Sequence, residues 1–589
     1  MNRSNEFNAQ FPQQFAHIAT QRYREETPLV RELANAIQIN SDEQLRADAL
    51  ARLISERLRQ ERINATGLDA ILAEFPLSSN EGKALLNLTE TLLRIPDHKN
   101  AERLIREQLH TGTWREHRGH SPSWLVNLAS WSLGLADGLA ATSSGKPLIR
   151  ELIKWSIQHL SHHFVIADNI ENALKLSQSH YRYSYDMLGE AALNQADSDR
   201  YFAAYCHAIV QVGQHNPGAG VRFGGGVSIK LSALHPKFHY VHSLRLEKEL
   251  YPRLLELAQL AKQYDIGLTL DAEESHRLEL TLSLFAKLVQ DKSLDDWDGL
   301  GIAVQAYQKR ALSVIHWLNL LSRQRHFSVR LVKGAYWDSE IKLAQQAALI
   351  DYPVFTHKSH TDLSYLACAQ ALLHAENRIY PQFATHNPFT LATVHQMAGE
   401  KEFEFQALYG MGETLYDLAT ELGIDRPCRF YAPVGEHLLP YLVRRFLENG
   451  ANNSFVHQLL SSDKTLQMAC PEIHNERALT KPSKVFAERD IPVCIDWTHY
   501  PDWDELNLQI IHNQQHSLSA LPIMAAGIPE LYELRHSFNP ANVNDCIGLT
   551  HKGGIKDIEK ILTAAHQAKA AWRSSTASRR AKILEQCAD

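Results

Sequence analysis

The chain has 589 residues, of which 44% are hydrophobic and 22% are charged, a composition typical of a globular protein with several domains. It carries 60 lysines and arginines against 67 aspartates and glutamates, which gives a net charge of −7. This charge argues against a protein that coats nucleic acid through a general basic surface. Its 7 cysteines are widely spaced and form no CxxC pair, which indicates reduced thiols in a cytosol and argues against a disulfide framework.

Helical patterns cover the first 175 or so residues. Ser41-Asp42-Glu43-Gln44 is a capping-box pattern ahead of a leucine-rich stripe, and Ser78-Ser79-Asn80-Glu81 precedes a second stripe that Pro96 ends. Such stripes are typical of helices that pack on a core. We therefore predict a helical N-terminal arm over residues 1–65 and an α-helical domain over residues 66–175.

The pattern changes near residue 176, where short strand-like runs begin to alternate with helical stretches up to about residue 460. Eight such repeats predict an α/β fold of the TIM-like (β/α)8 barrel class. A doubly wound sheet is the alternative, but Gly224-Gly225-Gly226 precedes a strand and no GxGxxG follows one. The predicted strands are 182–188, 227–234, 266–273, 301–307, 327–336, 380–387, 403–410 and 429–435.

The remainder of the chain is less regular. Residues 461–535 are predicted to form a linker, and residues 556–589 are predicted to form one long amphipathic helix. The polar N-terminus indicates no signal peptide, and the most apolar stretch, residues 124–140, falls short of a membrane span. Membrane contact is therefore expected to be at most peripheral. The histidines near residue 357 lack a nearby carboxylate pair, so we expect no metal site.

Polar and aromatic side chains gather at the ends of the predicted strands, where (β/α)8 barrels carry their function. A purely structural barrel would place aliphatic residues at these positions. The strand ends and the turns after them contribute Lys230, Asp271, Gln305, Arg330, Lys333, Gly334, Tyr336, Trp337, Thr385, His386, Asn387, Gln406 and Tyr431.

Two adjacent arginines follow the last predicted strand. Tyr441, Arg444, Arg445 and Glu448 are spaced at i, i+3, i+4 and i+7, so on a helix they share one face. An aromatic ring, two guanidinium groups and a carboxylate form a plausible clamp for a small anion, although a solvated arginine pair is the alternative. Because candidate cations outnumber candidate carboxylates, we expect a positive pocket for an anionic ligand.

These residues predict a barrel enzyme with a flat cofactor or substrate and a carboxylate or phosphate anchor. A barrel lyase or hydrolase that acts on a phosphorylated or carboxylated substrate is a second interpretation. A DNA-binding or scaffold protein is a third, suggested by the long helical N-terminus, and the net charge of −7 weighs against it.

The same residues resemble the proline dehydrogenase module of the proline utilization A family, whose members are bifunctional bacterial enzymes. The resemblance extends over the whole predicted barrel in the family's order. The matching runs are YSYDMLGEAAL (183–193), SIKLSALHP (228–236), LDAEE (270–274), VQAYQKRA (304–311), VRLVKGAYWDSEIK (329–342), YPQFATHN (380–387), GMGETLY (410–416) and YLVRRFLENGAN (441–452).

The resemblance implies an FAD-containing (β/α)8 barrel that oxidises L-proline to 1-pyrroline-5-carboxylate by hydride transfer to flavin N5. It implies that Arg444, Arg445 and Lys230 bind the carboxylate of proline and that Asp271, Tyr336, Leu408, Tyr431 and Tyr441 line the substrate pocket. The residues that it implies around FAD are Gln305, Arg330, Val332, Lys333, Gly334, Ala335, Trp337, Thr356, Lys358, Thr385, His386, Asn387, Gln406 and Glu448.

Residues 536–589 resemble the opening of the family's aldehyde dehydrogenase domain, which oxidises L-glutamate γ-semialdehyde. We expect a truncated start of that domain and hence no second activity in this chain. The resemblance also implies electron transfer to a membrane quinone and a bacterial cytoplasmic protein at the inner-membrane surface. Because no ribbon-helix-helix segment is recognised at the N-terminus, we expect no DNA partner.

Overall fold

The computed structural model describes residues 12–62, 165–375, 378–435, 473–475, 478–486, 492–514, 518–524 and 533–588. The chain divides into two compact units, Met1–Pro501 and Asp502–Asp589. Within the described ranges, no helix combines the length and the apolar character that a membrane crossing requires.

A closed barrel of eight parallel strands forms the centre of the first unit. Each strand pairs with the next one in the chain, and β8 closes the barrel on β1 with Ser184 opposite Tyr431. The predicted (β/α)8 architecture is therefore confirmed. The strands are β1 (Arg182–Asp186), β2 (Gly226–Ile229), β3 (Gly267–Leu270), β4 (Leu300–Gln305), β5 (Phe327–Val332), β6 (Ile379–Ala384), β7 (Glu404–Leu408) and β8 (Cys428–Pro433).

All eight predicted strands exist, but each of them ends earlier than predicted. The clearest case is β2, which ends at Ile229 and is followed by a short helix, Leu231–Leu234, where the sequence predicted more strand. Leu231 and Leu234 are fully buried, so the apolar pattern continues after the ladder hydrogen bonds stop. A hydrophobic pattern predicts which residues are buried. It does not predict where backbone hydrogen bonding to the neighbouring strands stops, and that point is the end of the strand.

Helices cover the outside of the barrel, and the aliphatic faces between helices and strands form one large core. The described helices of the first unit are α1 (Pro12–Thr20), α2 (Glu26–Ala36), α3 (Ser41–Arg62), α4 (Ile170–Leu176), α5 (Gln195–His215), α6 (Gly220–Phe223), α7 (Leu231–Leu234), α8 (Ser243–Glu249), α9 (Tyr251–Gln263), α10 (Leu278–Gln290), α11 (Ala311–Leu321), α12 (Trp337–Gln346), α13 (Lys358–Leu373), α14 (Pro388–Ala398) and α15 (Glu413–Glu421). The helices that follow along the chain are α16 (Tyr500–Gln514), α17 (Ile555–Ser574) and α18 (Ala577–Ala588).

The described part of the predicted N-terminal arm is helical and packs on the barrel helices. Helix α3 is capped one residue earlier than predicted, because the Asn40 side chain accepts the Glu43 N–H at 2.9 Å and Glu43 accepts the Asn40 N–H at 3.1 Å. Ala47 and Ala51 of this helix pack against Ala392 of α14. Small side chains at this contact allow the two helices to approach closely.

The described part of the second unit contains a three-stranded sheet, the helices α17 and α18 and nearly all of α16. Strands β9 (Leu518–Ala520), β10 (Glu533–Asn539) and β11 (Asn542–Lys552) pair in the order β10-β11-β9. The predicted single long helix is wrong, because α17 ends at Ser574 and α18 begins at Ala577. The predicted linker also contains a 15-residue helix, α16.

Candidate active site

Four side chains meet at the carboxyl ends of β1, β2, β3 and β8. Lys230 Nζ lies 2.7 Å from Asp186 Oδ2, 3.4 Å from Asp271 Oδ2 and 3.1 Å from the Tyr431 hydroxyl. That hydroxyl lies 2.6 Å from both carboxylates. The side chains of Lys230, Asp186 and Asp271 are 8%, 1% and 9% exposed, so their charges interact with little screening by water. We call these four residues the rim cluster.

Arg330 extends the rim cluster into the barrel. One of its terminal nitrogens lies 2.7 Å from Asp271 Oδ1 and 3.1 Å from Ser228 Oγ, and the other lies 3.2 Å from Ser184 Oγ. Its guanidinium carbon is 5.3 Å from the centre of the Tyr431 ring, within the range of a cation–π contact. Arg330 therefore has a fixed orientation below the barrel mouth.

The surroundings favour the protonated forms of Lys230 and Tyr431. Burial alone would lower the pKa of Lys230, but the charges of Asp186, Tyr431 and Asp271 raise that pKa well above its ordinary value. Burial and the two carboxylates also raise the pKa of Tyr431 well above its ordinary value. The phenol has one proton and two carboxylates at 2.6 Å, so a change of charge nearby can redirect its hydrogen bond.

The cations that the structure describes do not by themselves make the pocket positive, and because Arg444 and Arg445 lie outside the described residues, the expectation of a positive pocket stays a prediction. Lys230 and Arg330 are balanced by Asp186 and Asp271, and Lys333 forms an ion pair with Asp362. Asp186 was missed in the sequence, although it ends β1 on the same face as Ser184, two residues earlier. That alternation, applied to the first strand, is the signal that could have identified it.

A second group of predicted cofactor residues lines the edge of the mouth near β4 and β5. Gln305 donates to the backbone oxygen of Glu273 at 2.8 Å, and its buried Oε1 has no hydrogen-bond partner among the described residues. Gly334 has φ +129°, and a Cβ there would lie 2.5 Å from the Tyr307 ring. Val332 and Tyr336 are partly buried, whereas Ala335 is exposed.

Gly334→Ala is expected to lower the free energy of unfolding by about 3 kcal/mol, because it combines backbone strain with overpacking against Tyr307. Chemical denaturation of the full chain measures this difference. Gly423→Ala is the matched control, since Gly423 also has a positive φ, +89°, but nothing lies within 4 Å of its added Cβ. Equal losses in the two variants would refute the steric part of the argument.

Several predicted cofactor residues lie at the ends of β6 and β7, where hydrogen bonds fix their side chains. Asn387 Oδ1 accepts the Phe389 N–H at 2.8 Å and caps α14, while its own N–H donates to Thr385 Oγ1 at 3.1 Å. His386 Nε2 accepts the Leu408 N–H at 3.0 Å. In addition, Gln406 donates to Glu404 at 3.1 Å inside the barrel.

Three other predicted cofactor residues lie together on the side of the barrel that the N-terminal arm covers. The Trp337 indole N–H donates to the Phe355 oxygen at 2.8 Å, Thr356 contacts Glu26 of the arm, and Lys358 begins α13. Tyr441, Arg444, Arg445 and Glu448 lie outside the described residues, so their predicted roles stay predictions. Among the described residues, no group of three or more potential metal ligands is found.

A closed parallel barrel with a buried ionic cluster at the carboxyl ends of its strands defines a (β/α)8-barrel enzyme. The family model of proline dehydrogenase matches residues 169–458, and a model described as the DNA-binding domain of proline dehydrogenase matches residues 67–181. Proline dehydrogenase 1 of Bacillus subtilis (strain 168) is 30% identical over 304 residues, which cover 50% of this chain and 88% of that protein. The chain belongs to the proline dehydrogenase family.

Longer relatives match more of the chain. The bifunctional protein PutA of Klebsiella aerogenes is 41% identical over 596 residues, 92% of this chain and 45% of that protein. A crystal structure of a mutant of Bradyrhizobium japonicum Proline Utilization A (PutA) has a TM-score of 0.67 and 39% identity, covering 85% of this chain and 53% of that one. The barrel is therefore a PutA-like proline dehydrogenase domain, in a chain that spans about half the length of these relatives.

The match over residues 67–181 weighs against our expectation that the chain has no DNA partner, and we withdraw that expectation. It rested partly on the net charge of −7, which averages over 589 residues. A single domain can carry a local charge that the average hides.

Proposed function

We propose that this chain catalyses the FAD-dependent oxidation of L-proline to 1-pyrroline-5-carboxylate, the first step from proline towards glutamate. The observation that carries the proposal is the buried arrangement of Lys230, Asp271, Arg330 and Tyr431 at the barrel mouth of a proline dehydrogenase family member. All four were predicted from the sequence as substrate or cofactor residues.

The residues near β4 and β5 fit a flavin. The buried Gln305 Oε1 and Arg330 Nε have no hydrogen-bond partner among the described residues, and such atoms are costly unless a ligand or water pairs with them. The absence of a side chain at Gly334 lets its backbone pass close to the Tyr307 ring, which a Cβ would approach to 2.5 Å. We assign Gln305, Arg330, Gly334, Trp337 and the ends of β6 and β7 to FAD, which when bound supplies a hydride acceptor.

The substrate side rests on the rim cluster. Lys230 offers a cation to the carboxylate of proline, with Arg444 and Arg445 as its proposed partners. Fixing that carboxylate orients the small ring, and such positioning contributes much of an enzyme's rate. The amine must be neutral to release a hydride from the adjacent carbon, and desolvation in a buried site lowers the pKa of an amine. The Tyr431 ring provides apolar surface for the substrate ring.

The remaining parts of the proposal concern partners and location. We propose that electrons pass on to a membrane quinone and that the protein lies in the bacterial cytoplasm, peripherally bound to the inner membrane. We also propose that residues 536–589 correspond to the opening of an aldehyde dehydrogenase domain. Their resemblance to that domain supports this assignment, and the similarity to bifunctional PutA proteins agrees with it.

The absorption spectrum of the purified chain, reconstituted with FAD and recorded before and after addition of L-proline, tests the proposed function. We expect visible flavin absorption that L-proline bleaches under anaerobic conditions. D-proline is the matched control, because its carboxylate cannot occupy the same anchor with the same hydrogen facing the flavin. A chain without flavin absorption after reconstitution would favour the lyase or hydrolase interpretation and would refute the proposal.

A further inference from the structure

Glu26, the first residue of α2 in the N-terminal arm, is buried against the barrel. Its side chain accepts the Thr356 N–H at 2.9 Å and 3.1 Å, the Thr356 hydroxyl at 3.0 Å and the His357 N–H at 3.4 Å. His360 Nδ1 lies 2.7 Å from the same carboxylate. Glu26 is 2% exposed and is 330 residues from Thr356 in the chain.

Apolar packing fixes the position from which Glu26 reaches this site. Leu29, Val30 and Leu33, which follow Glu26 on α2, pack with Phe355 and Leu363. Leu29 and Val30 are spaced three and four residues from Glu26, so they lie on its face of the helix. The carboxylate therefore reaches the barrel only when the apolar face of the arm is docked.

The segment that Glu26 holds, residues 355–357, contacts one cofactor residue and precedes another. The backbone oxygen of Phe355 accepts the indole N–H of Trp337 at 2.8 Å, and we assign Trp337 to FAD. His357 is followed by Lys358, which begins α13 and which the family resemblance implies at FAD. The N–H groups of Thr356 and His357 precede a 16-residue helix, and Glu26 satisfies them where the helix itself offers no acceptor. Glu26 thus restrains the path of the chain between Trp337 and Lys358.

The chain that follows the barrel closes over the same contact. The His474 N–H donates to His360 Nε2 at 3.1 Å, and the Ala478 N–H donates to Thr356 Oγ1 at 3.4 Å. Two of the three partners of Glu26, His360 and Thr356, are therefore held from a second side. Glu26 lies at the point where the arm, the 355–357 segment and the chain after the barrel meet.

We infer that Glu26 is a positioning residue for the flavin cofactor and that docking of the N-terminal arm is coupled to FAD binding. This inference rests on the proposed function, because it needs FAD at Trp337 and Lys358. If the docked arm orders the 355–357 segment, FAD binds more tightly to the docked form. By thermodynamic linkage, FAD must then favour docking of the arm to the same extent.

The test uses the full chain and two readouts that do not depend on turnover. The dissociation constant of FAD is measured by titration of the apoprotein, and the rate of tryptic cleavage in the arm, at Arg22, Arg24 and Arg31, is measured with and without FAD. Glu26→Gln is expected to weaken FAD binding about tenfold, within the ~5–150-fold range of couplings between sites. FAD is expected to slow cleavage of the wild-type arm and to protect the variant less.

Glu32→Gln is the matched control, because Glu32 lies on the same helix but its side chain is 60% exposed and pairs with Arg24. Its FAD affinity is expected to change less than about twofold. Glu26→Gln is used because it removes the charge and keeps the size of the side chain, whereas a truncation such as Glu26→Ala could prevent folding.

The outcomes separate this inference from the proposed function. An unchanged FAD affinity in Glu26→Gln, even with lower thermal stability, would show a purely structural role and refute the inference alone. Tighter FAD binding would also refute it and would show that Glu26 competes with the cofactor. Failure of the wild-type chain to bind FAD would instead overturn the proposed function.

Discussion

Lys230→Met is expected to lower kcat/KM for L-proline about a thousandfold, a loss of roughly 4 kcal/mol of transition-state stabilisation. The substitution removes the cation that lies 2.7 Å from Asp186 and 3.4 Å from Asp271, and it leaves two buried carboxylates near each other. One of them must then take up a proton or repel the carboxylate of the substrate. Steady-state rates with an artificial electron acceptor, at saturating FAD, measure the effect.

Lys248→Met is the matched control, because Lys248 is exposed on α8, away from the strand ends, and its loss should leave kcat/KM unchanged. Lys230→Arg keeps the charge but replaces a compact ammonium by a wider guanidinium, so we expect an intermediate loss. FAD content, read from the absorption spectrum, should remain at the wild-type level. A Lys230→Met enzyme with wild-type kcat/KM would remove Lys230 from the substrate site.

Glu404→Gln is expected to lower the free energy of unfolding by about 4 kcal/mol, because it leaves buried guanidinium groups without their counter-charge. Glu404 is fully buried inside the barrel and lies 2.7 Å from Arg429 Nε and 3.3 Å from Arg182 Nη1. It also accepts from Gln382 at 2.8 Å and from Gln406 at 3.1 Å. Urea denaturation of the full chain, followed by tryptophan fluorescence, measures the change.

The neighbouring Glu402 offers a matched control, because it also pairs with an arginine, Arg222 at 2.6 Å, but its side chain is 78% exposed. Solvent screening makes such pairs contribute little, so Glu402→Gln should leave stability nearly unchanged. Because both glutamates pair with arginines and only Glu404 is buried, comparing the two variants separates the effect of burial on stability from the effect of ion pairing. Similar stabilities of the Glu404→Gln variant and the wild type would show that the buried network relaxes around the loss.

The partners of the charged residues at the barrel mouth could not be predicted from local sequence pattern. Lys230, Arg330 and Lys333 were recognised as candidate cations, but their partners Asp186, Asp271 and Asp362 come from other elements of the fold. Asp186 is 44 residues from Lys230 in the chain. A count of charges near strand ends could therefore predict an ionic site, whereas its charge balance depended on Asp186, which the pairing of β1 with β2 places beside Lys230.

The eight strands, the helical arm and most of the residues at the barrel mouth could be predicted from local pattern, because hydrophobic period and strand-end chemistry are properties of a few consecutive residues. Which charges pair with one another depended on the folded arrangement of the strands and helices. The pairing of β1 with β2 brought Asp186 to Lys230, and packing of the arm placed Glu26 against Thr356, 330 residues away. Such contacts depend on how whole elements pack, and no short stretch of sequence records that.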